Sequence, residues 1–242
     1  MAQEPRRRWG WKRWTIVGVA AALVLFVGGP YVYIHFIQAP APAPLALDSP
    51  TPGSDPTGSG SSTGSGDPAS DGAWNTGTDS IVGYRIKETL FGQASEAVGR
   101  TSDVTGSVTI AGTQVTDASF TVDMTTVQSD ESRRDDQFNG RIMETSTYPT
   151  ATFELTEPID LGSIPSDGSQ GTYDATGELT LHGVTNTVQF EVQAQRSGDA
   201  FEVVGSIPVT FAEYNVGNPS FGFVTTEDNG LLEFDLVFSK AA

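Results

Sequence analysis

Few side chains in this chain could do chemistry, and they are scattered. Arg133, Arg134 and Arg141 form a basic cluster that could receive a phosphate. The same arginines could instead pair with Asp130, Glu131, Asp135 and Asp136 on a solvated helix. His182 stands just before Gly183; it has no second histidine beyond His35 to build a metal site, so it reads as a turn or core residue. Gly60-Ser61-Ser62-Thr63-Gly64 matches the nucleophile-elbow pattern letter for letter. It lacks the strand and helix that such an elbow needs, so the match is chance. No cysteine is present, which excludes disulfide and thiol chemistry. Nothing places two acids beside an orienting partner, so no catalytic residue, metal or cofactor is expected.

The elements that must position these groups are strands. Val82, Tyr84 and Ile86 alternate with polar or small neighbours, as do Phe120, Val122 and Met124. The same period runs through Val188, Phe190, Val192 and Ala194, through Phe201 to Phe211, and through Leu232, Phe234, Leu236 and Phe238. Tyr148-Pro149 leads into another strand, because Pro is tolerated at a strand's start. Gly183 permits a sharp turn after Gly177 to His182. One helix is predicted over Glu131 to Asn139, capped by Asp130 and ended by Gly140. Phe138 and Ile142 would present one apolar face. Repeated amphipathic strands point to an all-β antiparallel sheet, and closure into a barrel would remove its edges. An eight-stranded barrel can be filled by its own side chains or can hold one small ligand, and both readings stay open here. Gly177, Ala194 and Gly205 among the inward residues would leave room along one wall.

The N-terminal part has a different character. Arg6, Arg7, Arg8, Lys12 and Arg13 precede an apolar run over 14–37, long enough to cross a hydrocarbon core. The basic tail, residues 1–13, should stay in the cytoplasm and place the rest outside, as a single-pass protein of the cell membrane. Residues 38–73 are rich in Pro, Gly and Ser and are expected to be a disordered tether. Residues 74–242 are expected to be one domain. Taking the five basic residues and Glu4 from the chain's 13 basic and 30 acidic residues leaves 8 and 29 over residues 14–242, a net of −21. Such a balance excludes nucleic acid as a partner.

From about Ile81 to Phe238 the sequence resembles the YceI-like family of polyisoprenoid-binding, lipocalin-like barrels. The marks are Tyr148-Pro149 leading to Phe153, and Gly177-x-Leu179-Thr180-Leu181-x-Gly183-Val184-Thr185. Arg134-Asp135, Phe211, Tyr214 and Gly217 support them. The resemblance implies a lipocalin-like barrel, secreted or periplasmic, that holds an isoprenoid or other long-chain lipid and is not an enzyme. Phe120, Met124, Phe138, Ile142, Tyr148, Phe153, Leu179, Leu181, Phe190, Phe211 and Phe234 would line the barrel. Arg133, Arg134 and Arg141 would meet a head group at its mouth. Glu88 stands where the family often has His, which bears on the head group accepted. The alternative is an envelope interaction module whose barrel is filled. The residues do not set the oligomeric state.

Overall fold

The computed structural model of the protein describes residues 14–19, 40–47 and 70–241. β1 (Gly72–Thr76) and β2 (Ile81–Leu90) run on as one bent strand, and β3 (Gln93–Thr101) and β4 (Val104–Ala111) return beside them. β5 (Gln114–Asp123) follows, with the two-residue β6 (Gln128–Ser129) on β3. β7 (Thr150–Leu155), β8 (Ile159–Asp160) and the long pair β9 (Gln170–Leu181) and β10 (Val184–Ser197) come next. β11 (Ala200–Thr210), β12 (Val224–Thr226) and β13 (Asn229–Lys240) complete the sheet. β1 pairs with both β4 and β13, so the path β1-β4-β5-β7-β9-β10-β11-β13 closes into an eight-stranded antiparallel barrel. Closure leaves that ring without an exposed edge. The expected all-β barrel with a short helix is what the chain builds.

Turn chemistry sets the register. His182 and Gly183 both take positive φ, 50° and 74°, and join Leu181 directly to Val184. This is the two-residue turn whose twist matches flanking strands. Phe91 and Gly92, at 50° and 81°, do the same between β2 and β3. The alternation read from sequence holds along the walls: Val82, Tyr84, Ile86, Phe120, Val122 and Phe190 all face inward. At one end Trp74, Phe201 and Phe238 are buried together, Trp74 meeting Phe201 edge to face at 4.8 Å. Trp74 also donates its Nε1 proton to the Ser70 carbonyl at 2.9 Å, so its polar edge is satisfied.

The helix departs from expectation. It spans Ser132–Gln137, and Glu131 rather than Asp130 caps it, accepting from the Arg133 N–H. Gly140 does not end it, because Gly140 lacks the left-handed conformation that closes a helix. Phe138–Ile142 instead continue as one π-helical turn. That turn lays the Phe138 ring on Tyr84, with centroids 5.2 Å apart and planes 14° from parallel.

The expected tether also differs. Its last residues belong to the barrel, since β1 begins at Gly72. Residues 40–47 lie against the outside of the barrel: the Pro42 carbonyl accepts from Arg85 at 2.8 Å, and the Ala43 carbonyl from Arg100 at 2.5 Å. Arg85 itself is 6% exposed and is held by Glu233 and Glu96, each at 2.6 Å. Leu47 is buried. Of the expected membrane span, 14–19 are helical and 20–37 lie outside the described residues, as do 1–13 and 48–69. Among the described residues no helix is long and apolar enough to cross a membrane.

Candidate functional site

The barrel is not filled. A cavity of about 830 Å³ runs through it, lined from β2, β4, β5, β7, β9, β10, β11 and β13. That volume sits in the upper part of the usual range for ligand sites, about 300–1,000 Å³. Ten of the eleven lining residues expected from sequence do line it: Phe120, Met124, Phe138, Ile142, Phe153, Leu179, Leu181, Phe190, Phe211 and Phe234. The exposed members of the lining, Phe91, Asp130, Glu131, Arg133, Phe221 and Leu231, mark where it opens. That end is built by the β2–β3 turn, the start of the short helix, and the segment leading into β12. The opposite end, around Ile110, Phe201 and Pro165, is buried.

Glycines keep the lumen open, though not as expected. Gly205 sits opposite Phe234 across β11 and β13, and a Cβ there would come 2.5 Å from the Phe234 Cζ. A Cβ on Gly177 would come 2.5 Å from the Phe153 Cε2, and Gly106 and Gly99 are covered in the same way by Phe120 and Tyr84. The space over each glycine is therefore taken by a neighbouring ring. Each ring lies along the wall instead of projecting into the lumen. The rings also meet one another: Phe153 packs edge-on to Phe190 at 5.5 Å, and Phe190 edge-on to Phe234 at 5.9 Å. Such contacts favour ordered walls.

Glu88, Arg134 and Tyr84 stand together near the open end. Glu88, on β2, is buried and lines the cavity, and its Oε1 lies 3.7 Å from Arg134 Nη2. Arg134 is held from the other side by Asp130 at 2.5 Å. Burial pushes the Glu88 carboxyl above its ordinary 4.5; Arg134 opposes this and Asp130 adds to it. Burial likewise pushes the Tyr84 phenol well above its usual 10.0. Asp135 turns away and accepts from the Ser129 N–H and hydroxyl at 2.9 and 2.7 Å, tying the helix to β6. The Arg134-Asp135 step thus splits its work, one residue facing the cavity and the next fixing the helix that carries it. A carboxyl, a guanidinium and a phenol in an apolar wall can hydrogen-bond a polar head group; the three include no nucleophile activated by a base. Among the described residues no group of three or more His, Cys, Asp or Glu could hold a metal.

Two expected site residues lie elsewhere. Tyr148 does not line the cavity; its ring covers the Gly183 turn from outside, 4.5 Å from the His182 ring. The cause is the turn at Glu144, whose carbonyl accepts from the Tyr148 N–H and holds this stretch outside the wall before β7 begins. Arg141 does not line it either: it donates to Gln137 and to the Pro219 carbonyl, and its guanidinium covers Phe221 at 5.6 Å. Arg133 and Arg134 do reach the cavity. His182 pairs with the Tyr214 carbonyl and Glu144, at 3.2 and 3.3 Å, in the turn role expected of it.

Fold and cavity together define a closed antiparallel barrel around an apolar chamber. The chain belongs to the YceI-like domain family, whose sequence profile matches residues 76–238. A UPF0312 protein of Vibrio parahaemolyticus is 32% identical over 116 residues, which is 48% of this chain and 50% of that protein. Protein YceI of Escherichia coli O157:H7 is 29% identical over 126 residues, 51% of this chain and 60% of that one. The chain thus spans 50–60% of the length of these curated relatives. The solved polyisoprenoid binding domain from Saccharophagus degradans, implicated in plant cell wall breakdown, superposes with a TM-score of 0.57. The match covers 70% of this chain and 99% of that domain at 18% identity, so the likeness is one of fold.

Proposed function

We propose that the protein is a lipid-binding protein that holds an isoprenoid or similar long apolar chain inside its barrel, for carriage or sequestration. One observation carries this reading: the apolar cavity of about 830 Å³, open at one end, with Glu88 and Arg134 beside the opening. Burial of each methylene contributes about 0.8 kcal/mol relative to water, so a chain of several isoprene units gains enough to be retained. A lipid in a bilayer already has that gain. Selectivity must therefore come from the shape of the lumen and from the few polar groups near its mouth. Arg133 and Arg134 would meet the head group; Arg141, spent on Phe221 and Pro219, would not.

The basic tail and the apolar run over 14–37 support a single-pass anchor with the barrel outside the cytoplasm. Such an anchor keeps the barrel at high effective concentration beside its lipid source. Neither a cofactor nor a catalytic residue is part of this proposal. The test is mass spectrometry of an organic extract of the purified protein after mild expression. A co-purifying long-chain lipid is expected in stoichiometric amount. Repeated absence of any lipid, with no uptake of an added isoprenoid, would overturn the reading.

A further inference from the structure

Outside residues 14–19, the exposed large apolar side chains among the described residues are Phe91, Phe221, Phe223 and Leu231. Phe221 and Phe223 are 67% and 71% exposed, and Phe91 44%. All four stand at the open end of the cavity, and Phe91, Phe221 and Leu231 also line it. We infer that this rim is a docking surface for the interfacial layer of a lipid bilayer, so that a long-chain ligand passes between bilayer and lumen without crossing water. The inference rests on the reading of the cavity as a lipid container.

The rings are fixed in place. Phe91 stacks on Phe223 with centroids 4.7 Å apart, and its N–H donates to the Phe223 carbonyl at 3.1 Å. Phe221 and Val224 exchange two backbone hydrogen bonds of 3.0 Å, which closes a tight turn with Phe223 at its tip. Phe91 sits at positive φ, a conformation that bulky residues seldom adopt. A polar residue at these tips would serve a water-facing turn better, and clustered exposed apolar groups mark contact surfaces. Aromatic side chains favour the membrane–water boundary.

Two further facts select a bilayer over a protein partner. The rim opens straight into the apolar lumen, so whatever covers it meets both surfaces at once. The chain also limits the distance: Pro42 is held on Arg85 and follows Ile37, the end of the apolar run, by only five positions. Five extended residues reach at most about 18 Å. Arg133 shares the rim with Asp130 and Glu131, and the chain carries a net charge of −17, so docking depends on the rings rather than on anionic lipid.

The chain has no cysteine, which permits single labelled sites in the full-length protein. A polarity-sensitive fluorophore is placed on Phe223→Cys, or on Asp199→Cys in the exposed turn at the opposite end. Each protein is reconstituted into phosphatidylcholine vesicles carrying nitroxide-labelled acyl chains. The expected result is a blue shift and nitroxide quenching at 223 and neither at 199, both lost in a Phe91→Ser, Phe221→Ser background and both unchanged by salt. A label at 223 as water-exposed as that at 199 overturns docking, as does a blue shift that requires a second copy and brings no quenching. Uptake of a fluorescent isoprenoid by the same proteins in lipid-free solution separates the two readings. Retained uptake without quenching sinks the docking alone, whereas lost uptake in the parent sinks the container.

Discussion

Glu88 carries a carboxyl into an apolar wall, and its titration has a definite sign. Its affinity for the proton is raised on folding, so the folded state is relatively favoured below the ordinary value of 4.5. That advantage is lost as pH rises through the elevated folded value. Glu88→Gln is therefore expected to melt at or above the parent at neutral pH and to lack this slope, as read by thermal unfolding across pH. A destabilised variant with an unchanged slope would refute the assignment. The family resemblance implies that Glu88 stands where a His is often found, but not that it lies beside Arg134. The reason is local: Gly140 predicts a helix stop, whereas the chain runs through it as a π-helical turn that fixes how the helix lies on Tyr84. Arg141 departs from its expected place at the mouth because it serves Gln137 on its own turn and the Pro219 carbonyl, which is far away in sequence.

At the level of strands, glycine and aromatic residues act as pairs across the wall. Gly205→Ala places a methyl against Phe234, whose ring must then swing into the lumen. A cost of about 1–3 kcal/mol in denaturant unfolding is expected, together with reduced ligand capacity. Lost stability with full capacity would show that the ring relaxes along the wall instead. Arg85 and Glu233 form a second cross-strand unit, buried at 6% and 5% exposure on the outer side. Glu233→Ala strips the buried Arg85 of its Glu233 hydrogen bonds and leaves it Glu96 and the Pro42 carbonyl, so a cost of about 1–3 kcal/mol in denaturant unfolding is expected. The inward alternation of β2, β5, β10, β11 and β13 was legible because one face is apolar and the other wet. β3 was not legible, since Ala97, Val98 and Gly99 are buried in succession. Glu96 and Arg100 on that strand join the ion-pair network that carries residues 42 and 43. A strand covered on both sides loses the period that identifies it.

As a whole molecule, a barrel that holds cargo as proposed should report that cargo in its stability. A ligand held only by the folded chain at a hundredfold excess over its Kd adds about 2.7 kcal/mol. For a chain of this size the melting temperature should then rise by about 2–4 °C per kcal/mol. Calorimetry of delipidated and reloaded protein checks this, and equal melting temperatures would argue for a lumen without cargo. The class of fold was legible from repeated alternation and turn residues. The hollow interior was not, because it depends on rings lying over glycines of neighbouring strands, a relation that no single segment displays. The hold of Arg85 and Arg100 on the Pro42 and Ala43 carbonyls has a separate bearing on how this chain can vary. Leu47 and Ser70, the described residues that flank 48–69, are both buried, so the two flanks of that stretch are tied to the same body. Doubling the length of such a loop costs only about 0.6 kcal/mol. Insertions between those flanks would leave the spacing between Pro40 and the barrel unchanged, so that stretch can vary in length without altering how residues 40–47 seat on the wall.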